Sequence, residues 1–235
     1  MTKEAIILAG GFGTRLKGVV YEVPKSMAMI NDKPFLEYQL NYLEYWGINH
    51  VILSVGYKAE LIKNHFQNKY KSISIEYVEE KEPLGTGGAI KLAMSKVNSL
   101  TVFVLNGDTL FDVSLKRLFD FGRIKDASVC IALRFVPESG RYGSIKIDSD
   151  ARITGFVEKA DVYREEFING GIYCINTRYF KNKELPEKLS IEKDFFEKYY
   201  ESDLMYGFKS YSFFMDIGTP EDYKKAQNEF KSLPY

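Results

Sequence analysis

The chain has 235 residues, 45% of them hydrophobic and 27% charged, with 32 basic and 32 acidic side chains. That length holds one substantial α/β domain with a large core, and zero net charge excludes nucleic-acid binding by bulk electrostatics while leaving room for a local phosphate site. No apolar run reaches membrane-span length and the first strand starts within a few residues of Met1, so neither a span nor a signal peptide is expected and a cytoplasmic enzyme is the simplest class.

A strand-like run at residues 4–9 ends at Leu8-Ala9 and passes into Gly10-Gly11-Phe12-Gly13-Thr14-Arg15-Leu16, with Pro24-Lys25 soon after. Glycines let backbone N–H groups come close to an anion, and Arg15 and Lys25 add full positive charge. The loop therefore predicts a polyphosphate substrate. A dinucleotide fingerprint would need a third glycine where Leu16 stands, and a Walker A loop needs Gly-Lys-Ser/Thr where this chain has Pro24-Lys25-Ser26.

Helical patterns at about 35–46, 58–67, 86–96 and 114–121 then alternate with strand-like runs at 50–55, 73–78, 101–105 and 127–133. That alternation predicts a doubly wound, mostly parallel α/β sheet of Rossmann-like kind. The first helix carries Phe35, Leu36, Tyr38, Gln39, Leu40, Leu43 and Trp46 as a stripe that reads as core packing, and Gly47 ends it. The strand at 101–105 delivers Asn106-Gly107-Asp108 at its carboxyl end, where ligands of open α/β sheets bind. Runs at 144–148 and 153–157 read as a hairpin turning at Ser149-Asp150-Ala151, which makes the sheet mixed. Further strands are expected at 171–175 and 207–213, then Asp216 in Phe214-Met215-Asp216-Ile217-Gly218, and a last helix at about 220–231 with Thr219 as cap and Pro220 at its first position.

Cys130 and Cys174 lie far apart in the chain within apolar runs and read as buried thiols, not a disulfide; His50 and His65 have no spacing suited to zinc or a catalytic triad. No linker, repeat or hexapeptide periodicity interrupts the chain, so residues 1–235 are expected to form one domain. Alone, Asp108 or Asp216 reads as a turn former. Beside a phosphate loop the two become candidate Mg²⁺ ligands, since magnesium is held by one or two carboxylates plus substrate phosphates.

In order along the chain, the Leu8–Leu16 loop, Pro24-Lys25, Pro83-Leu84-Gly85-Thr86-Gly87-Gly88, Asn106-Gly107-Asp108, Arg141-Tyr142-Gly143, Phe156-Val157-Glu158-Lys159, Asn169-Gly170-Gly171 and Asp216-Ile217-Gly218-Thr219-Pro220 resemble the motifs of the sugar-1-phosphate nucleotidyltransferases. The resemblance implies transfer of a nucleoside monophosphate from a triphosphate to a sugar 1-phosphate, with Mg²⁺ and release of pyrophosphate. It places Leu8, Gly10, Gly11, Gly13, Thr14, Gly85 and Thr86 on the nucleotide and Arg15 and Lys25 on the reacting phosphates. By the same resemblance Gly143, Glu158, Lys159 and Asn169 hold the sugar phosphate, Asp108 and Asp216 the metal, and a homodimer is the common family habit. Many members have Pro-Lys-Pro where this chain has Pro24-Lys25-Ser26, which leaves the lysine in place.

Where pyrimidine-using relatives often carry a Gln, motif alignment puts Glu80. An ionised carboxylate only accepts hydrogen bonds, and guanine offers adjacent N1–H and N2–H₂ donors, so GTP is the expected nucleotide, with UTP or CTP as the alternative. The stretches Gly13–Val20, Val23–Lys25 and Lys33–Tyr38 are similar to bacterial guanylyltransferases acting on D-glycero-α-D-manno-heptose 1-phosphate, enzymes that serve surface polysaccharide; mannose 1-phosphate and glucose 1-phosphate stay open as substrates. A non-catalytic regulatory homologue would usually have lost one of Arg15, Lys25, Asp108 or Asp216, and all are present.

Overall fold

The computed structural model describes residues 1–11, 23–137, 143–157, 165–233 and 235. In chain order, β1 (Glu4–Leu8) is followed by a 3₁₀ turn at Lys25–Met27, the short strands β2 (Met29–Ile30) and β3 (Lys33–Pro34), and α1 (Phe35–Tyr45). Then come β4 (His50–Val55), α2 (Ala59–Phe66), β5 (Lys69–Tyr70), β6 (Ile73–Glu79), α3 (Gly85–Ala93), β7 (Thr101–Asn106), β8 (Thr109–Phe111) and α4 (Leu115–Ile124). The second half holds β9 (Val129–Val136), β10 (Ser144–Ile147), β11 (Ile153–Val157), β12 (Glu166–Asn176), α5 (Thr177–Lys181), α6 (Glu197–Tyr199), β13 (Met205–Ser210), β14 (Phe214–Asp216) and α7 (Pro220–Glu229).

β1 lies at the centre, parallel to both β4 and β7, and β4 is parallel to β6. β12 runs antiparallel to β7 on one edge and to β9 on the other, and β13 adds parallel to β9, so the ten-stranded sheet is mixed. Alternate residues explain the double winding. Ala5 and Ile7, Val51 and Leu53, Phe103 and Leu105 enter the core under α1, α2, α4 and α7, while Ile6, Ile52, Val102 and Val104 enter the core under α3 and the chain from Phe180 to Phe196. Side chains of a strand point to opposite faces in turn, so an unbroken apolar run is what a strand covered on both faces requires.

Local signals account for the boundaries. Gly47 sits at φ 71°, its N–H bonded to the Glu44 carbonyl at 2.8 Å, and closes α1 as expected. Thr219 caps α7 by accepting from the Asp222 N–H at 3.2 Å, with Pro220 leading the helix. The β10–β11 hairpin is present, its turn pinned by Asp148, whose carboxylate accepts from the N–H groups of Asp150 and Arg152, both at 2.9 Å.

Two readings change. The strand expected at 171–175 runs from Glu166 to Asn176, because Asn169-Gly170-Gly171 forms a bulge inside it and not its start. The strand expected at 207–213 ends at Ser210, leaving β14 as a separate element. The cysteine reading holds, both being buried free thiols; although distant in the chain, Cys130 and Cys174 are direct register partners across β9 and β12.

Candidate active site

The carboxyl ends of β1 and β7, with the chain after β4 and β6, surround a cavity of about 640 Å³ lined by Leu8, Gly10, Gly11, Lys25, Tyr57, Glu80, Gly85, Thr86, Asn106 and Asp108 among others. Its floor is built by close backbone approach. A Cβ on Gly107 would stand 2.2 Å from the Leu8 carbonyl oxygen, so only glycine lets the Asn106–Thr109 turn press onto β1. Gln39 grips that turn from below, its Nε2 donating to the carbonyls of Asn106 at 2.7 Å and Thr109 at 2.8 Å. Read from sequence as part of an apolar stripe, Gln39 is fully buried and acts as the fastener of the turn that carries Asp108. The available signal was its polarity within an otherwise apolar helix face.

Lys25 follows Pro24 in the 3₁₀ turn and is 8% exposed. Its ammonium lies 2.6 Å from Asp108 Oδ2 and 3.7 Å from Asp216 Oδ1. Asp216 arrives from the far end of the chain because β14 pairs antiparallel with β8, setting Asp216 opposite Thr109, and the Ile217 N–H bonds to the Asp108 carbonyl at 3.0 Å. The Gly218 N–H donates to Asp216 Oδ1 at 2.7 Å; a Cβ on Gly218 would lie 2.8 Å from that same oxygen. Thus a two-stranded ribbon with three-residue strands, invisible to periodicity, joins the two acids that the motifs single out.

Glu80 lines the cavity with its carboxylate against Gly10; it accepts from the Ser54 hydroxyl at 3.3 Å and the Leu84 N–H at 3.1 Å. The glycines after Leu84 have a packing role. Gly85 has φ 76°, and the N–H groups of Gly87 and Gly88 both point to the Leu189 carbonyl, at 2.9 and 3.2 Å. A Cβ on Gly88 would fall 2.3 Å from the Glu187 carbonyl oxygen. These glycines seat the 187–191 segment on α3, and Thr86, at the start of that helix, faces the cavity.

Gly143 and Asn169 are not among the residues that line this cavity. Asn169 is engaged within its own bulge: Oδ1 accepts from the Gly171 N–H and Nδ2 donates to the Tyr173 hydroxyl, each at 2.9 Å. Burial pushes the Tyr173 phenol well above its ordinary pKa, which makes it a hydrogen-bonding anchor and not an acid. Gly13, Thr14, Arg15, Glu158 and Lys159 lie outside the described residues.

Among the described residues no group of three His, Cys, Asp or Glu side chains could hold a metal unaided. The carboxylates of Asp108 and Asp216 converge on a single ammonium, and magnesium commonly takes one or two carboxylates together with substrate oxygens and water. No helix among the described residues is long and apolar enough to cross a membrane.

Comparison with known proteins agrees with this architecture. The family model described as nucleotidyl transferase matches residues 4–232. D-glycero-α-D-manno-heptose 1-phosphate guanylyltransferase of Aneurinibacillus thermoaerophilus is 49% identical over 228 residues, covering 97% of this chain and 98% of the relative. The enzyme of the same name from Campylobacter jejuni is 43% identical, covering 94% and 96%. The crystal structure of HddC from Yersinia pseudotuberculosis complexed with GMP-PN superposes with a TM-score of 0.88 at 36% identity, over 97% of this chain and 100% of that one. With a family match along nearly its whole length and two acids and a lysine gathered at the carboxyl ends of its parallel strands, the chain belongs to the nucleotidyl transferase family, as a sugar-1-phosphate nucleotidyltransferase.

Proposed function

We propose that the protein transfers GMP from GTP to D-glycero-α-D-manno-heptose 1-phosphate, releasing pyrophosphate and forming a nucleotide-sugar for surface polysaccharide. The observation that carries the reading is the likeness, end to end, to relatives bearing that activity in their names. The Glu80 carboxylate on the cavity wall supports guanine, because it accepts and cannot donate.

In this reading the nucleotide enters the 640 Å³ cavity with its phosphates over Gly10 and Gly11. Lys25 brings its ammonium to the transferred phosphoryl group, where preorganised charge is worth most. Arg15, later in the same glycine-rich motif, acts on the same phosphates. Asp108 and Asp216 would hold Mg²⁺, which when bound supplies positive charge to the triphosphate and the departing pyrophosphate. The attacking sugar phosphate is already largely ionised at neutral pH, its second pKa being about 6, so no general base is needed. Neither His50 nor His65 lines the cavity, consistent with a reaction driven by positioning and charge. Glu158, Lys159, Gly143 and Asn169 complete the sugar-phosphate side.

A matrix of GTP, UTP, CTP and ATP against heptose, mannose and glucose 1-phosphates, scored by pyrophosphate release, tests the assignment. The expected maximum of kcat/KM is GTP with the heptose phosphate. Preference for UTP or CTP overturns the base, and preference for a hexose overturns the sugar. Direct displacement predicts no label on the protein after incubation with α-labelled GTP alone; a trapped nucleotidyl-protein defeats that step.

A further inference from the structure

Thr86 lines the nucleotide cavity, and its hydroxyl is bound from behind. Its Oγ1 lies 2.9 Å from Glu192 Oε2 and accepts from the Ile191 N–H at 2.9 Å. Against an ionised carboxylate Thr86 must be the donor, because the carboxylate only accepts. A hydroxyl has one proton and two lone pairs. With the proton given to Glu192 and one lone pair to Ile191, Thr86 can offer the cavity a single lone pair and no proton.

Glu192 is itself held. The Ser190 hydroxyl donates to the same Oε2 at 2.8 Å, and the Lys193 N–H donates back to Ser190 at 3.2 Å. The residue opens a single π-helical turn, Glu192–Phe196, in which the Phe196 N–H reaches the Ile191 carbonyl at 2.9 Å. Such turns are often found at functional sites. The Leu189 carbonyl, bonded to Gly87 and Gly88, fixes this segment to the start of α3, so Thr86 and Glu192 cannot drift apart without breaking the seat.

We propose that Glu192 is a positioning residue for base selection, turning the Thr86 hydroxyl into an obligate acceptor so that Thr86 and Glu80 present the nucleotide with acceptors only. This rests on the guanine reading above. Guanine presents adjacent donors to such a wall; uracil and thymine set a carbonyl on each side of their one N–H, and those oxygens would meet lone pairs.

The test is Glu192→Leu against Glu192→Gln, which keeps an acceptor oxygen, assayed with GTP and UTP and with the sugar phosphate varied separately. Glu192→Leu is expected to raise KM for GTP about tenfold, the value of one hydrogen bond, with kcat at saturating GTP and KM for the sugar phosphate within about twofold. The GTP over UTP preference falls by about the same tenfold factor, and Glu192→Gln restores most of it. Thr86→Val should match Glu192→Leu, and the double variant should be no worse than either alone. Should Glu192→Leu not fold, Glu192→Asp, one methylene short of Thr86, is expected to weaken the preference at least threefold. An unchanged preference in Glu192→Leu, or in its Asp substitute, overturns the proposal while leaving guanine standing; equal losses in KM and kcat also overturn it, as a merely structural role. A wild-type protein preferring UTP overturns the guanine reading, and the positioning claim with it.

Discussion

At each end of the parallel strands one basic side chain stands between two carboxylates. At the carboxyl end, Lys25 lies between Asp108 and Asp216. At the amino end, His50 lies between Glu4, 2.9 Å from Nδ1, and Glu76, 3.1 Å from Nε2. Glu4 is saturated: its carboxylate also accepts from the N–H groups of Ser99 at 2.6 Å and Asn98 at 3.1 Å. Burial, the largest influence, works against its charge, but hydrogen bonds from Ser99, His50 and Asn98 outweigh it and hold the carboxyl at about 2. Asp108, by contrast, keeps 32% of its side chain exposed at the cavity. The same ingredients stabilise where every acceptor is filled and can serve chemistry where acceptor capacity is left for a ligand.

The largest effect should fall at the open end. Lys25→Ala, Asp108→Asn and Asp216→Asn are each expected to lower kcat by about 10²–10³ with an unchanged circular dichroism spectrum. A folded Lys25→Ala protein with near-normal turnover would erase the contrast. Next comes the turn itself: Gly107→Ala forces a Cβ against the Leu8 carbonyl and is expected to cost about 1–3 kcal/mol by urea denaturation, with turnover falling too.

Glu4→Gln sharpens the other side. It should cost about 2 kcal/mol of stability and leave turnover within about twofold. Because the folded carboxyl titrates at about 2 against an ordinary 4.5, the unfolded chain binds the extra proton between those values. The contribution of Glu4 is therefore complete above pH 4.5 and lost as pH falls towards 2, so wild type and variant should converge across that window in a pH series of denaturation curves. Gln39→Leu is expected to be milder, about 1 kcal/mol, since each lost bond is worth little by itself, but to lower kcat through a loosened Asp108 turn.

Much of this was legible in the sequence. Apolar runs gave the central strands because each is buried on both faces, and Thr219-Pro220 gave the start of α7 because capping is local chemistry. Asp108 was findable as an acid at a strand's carboxyl end. What could not be read depends on contacts between distant segments. β8 and β14 are three residues each, too short for a period, and only their pairing joins Asp216 to Asp108. Gly87 and Gly88 stand in the sequence only as part of a glycine turn, and nothing there shows that Gly87 packs against Leu189 and Ile191 and Gly88 against Glu187 and Leu84. Glu192 gave no sign, since its partner Thr86 lies 106 positions away.

The facing cysteines of β9 and β12 give the protein a built-in reporter. Burial pushes both thiols up, Cys174 to about 12, so an alkylating reagent finds no thiolate while the sheet is closed. Because the two strands share that register, parting them exposes both sulfurs in one event, and the rate of double labelling times the opening of the sheet in a protein that needs no engineered probe.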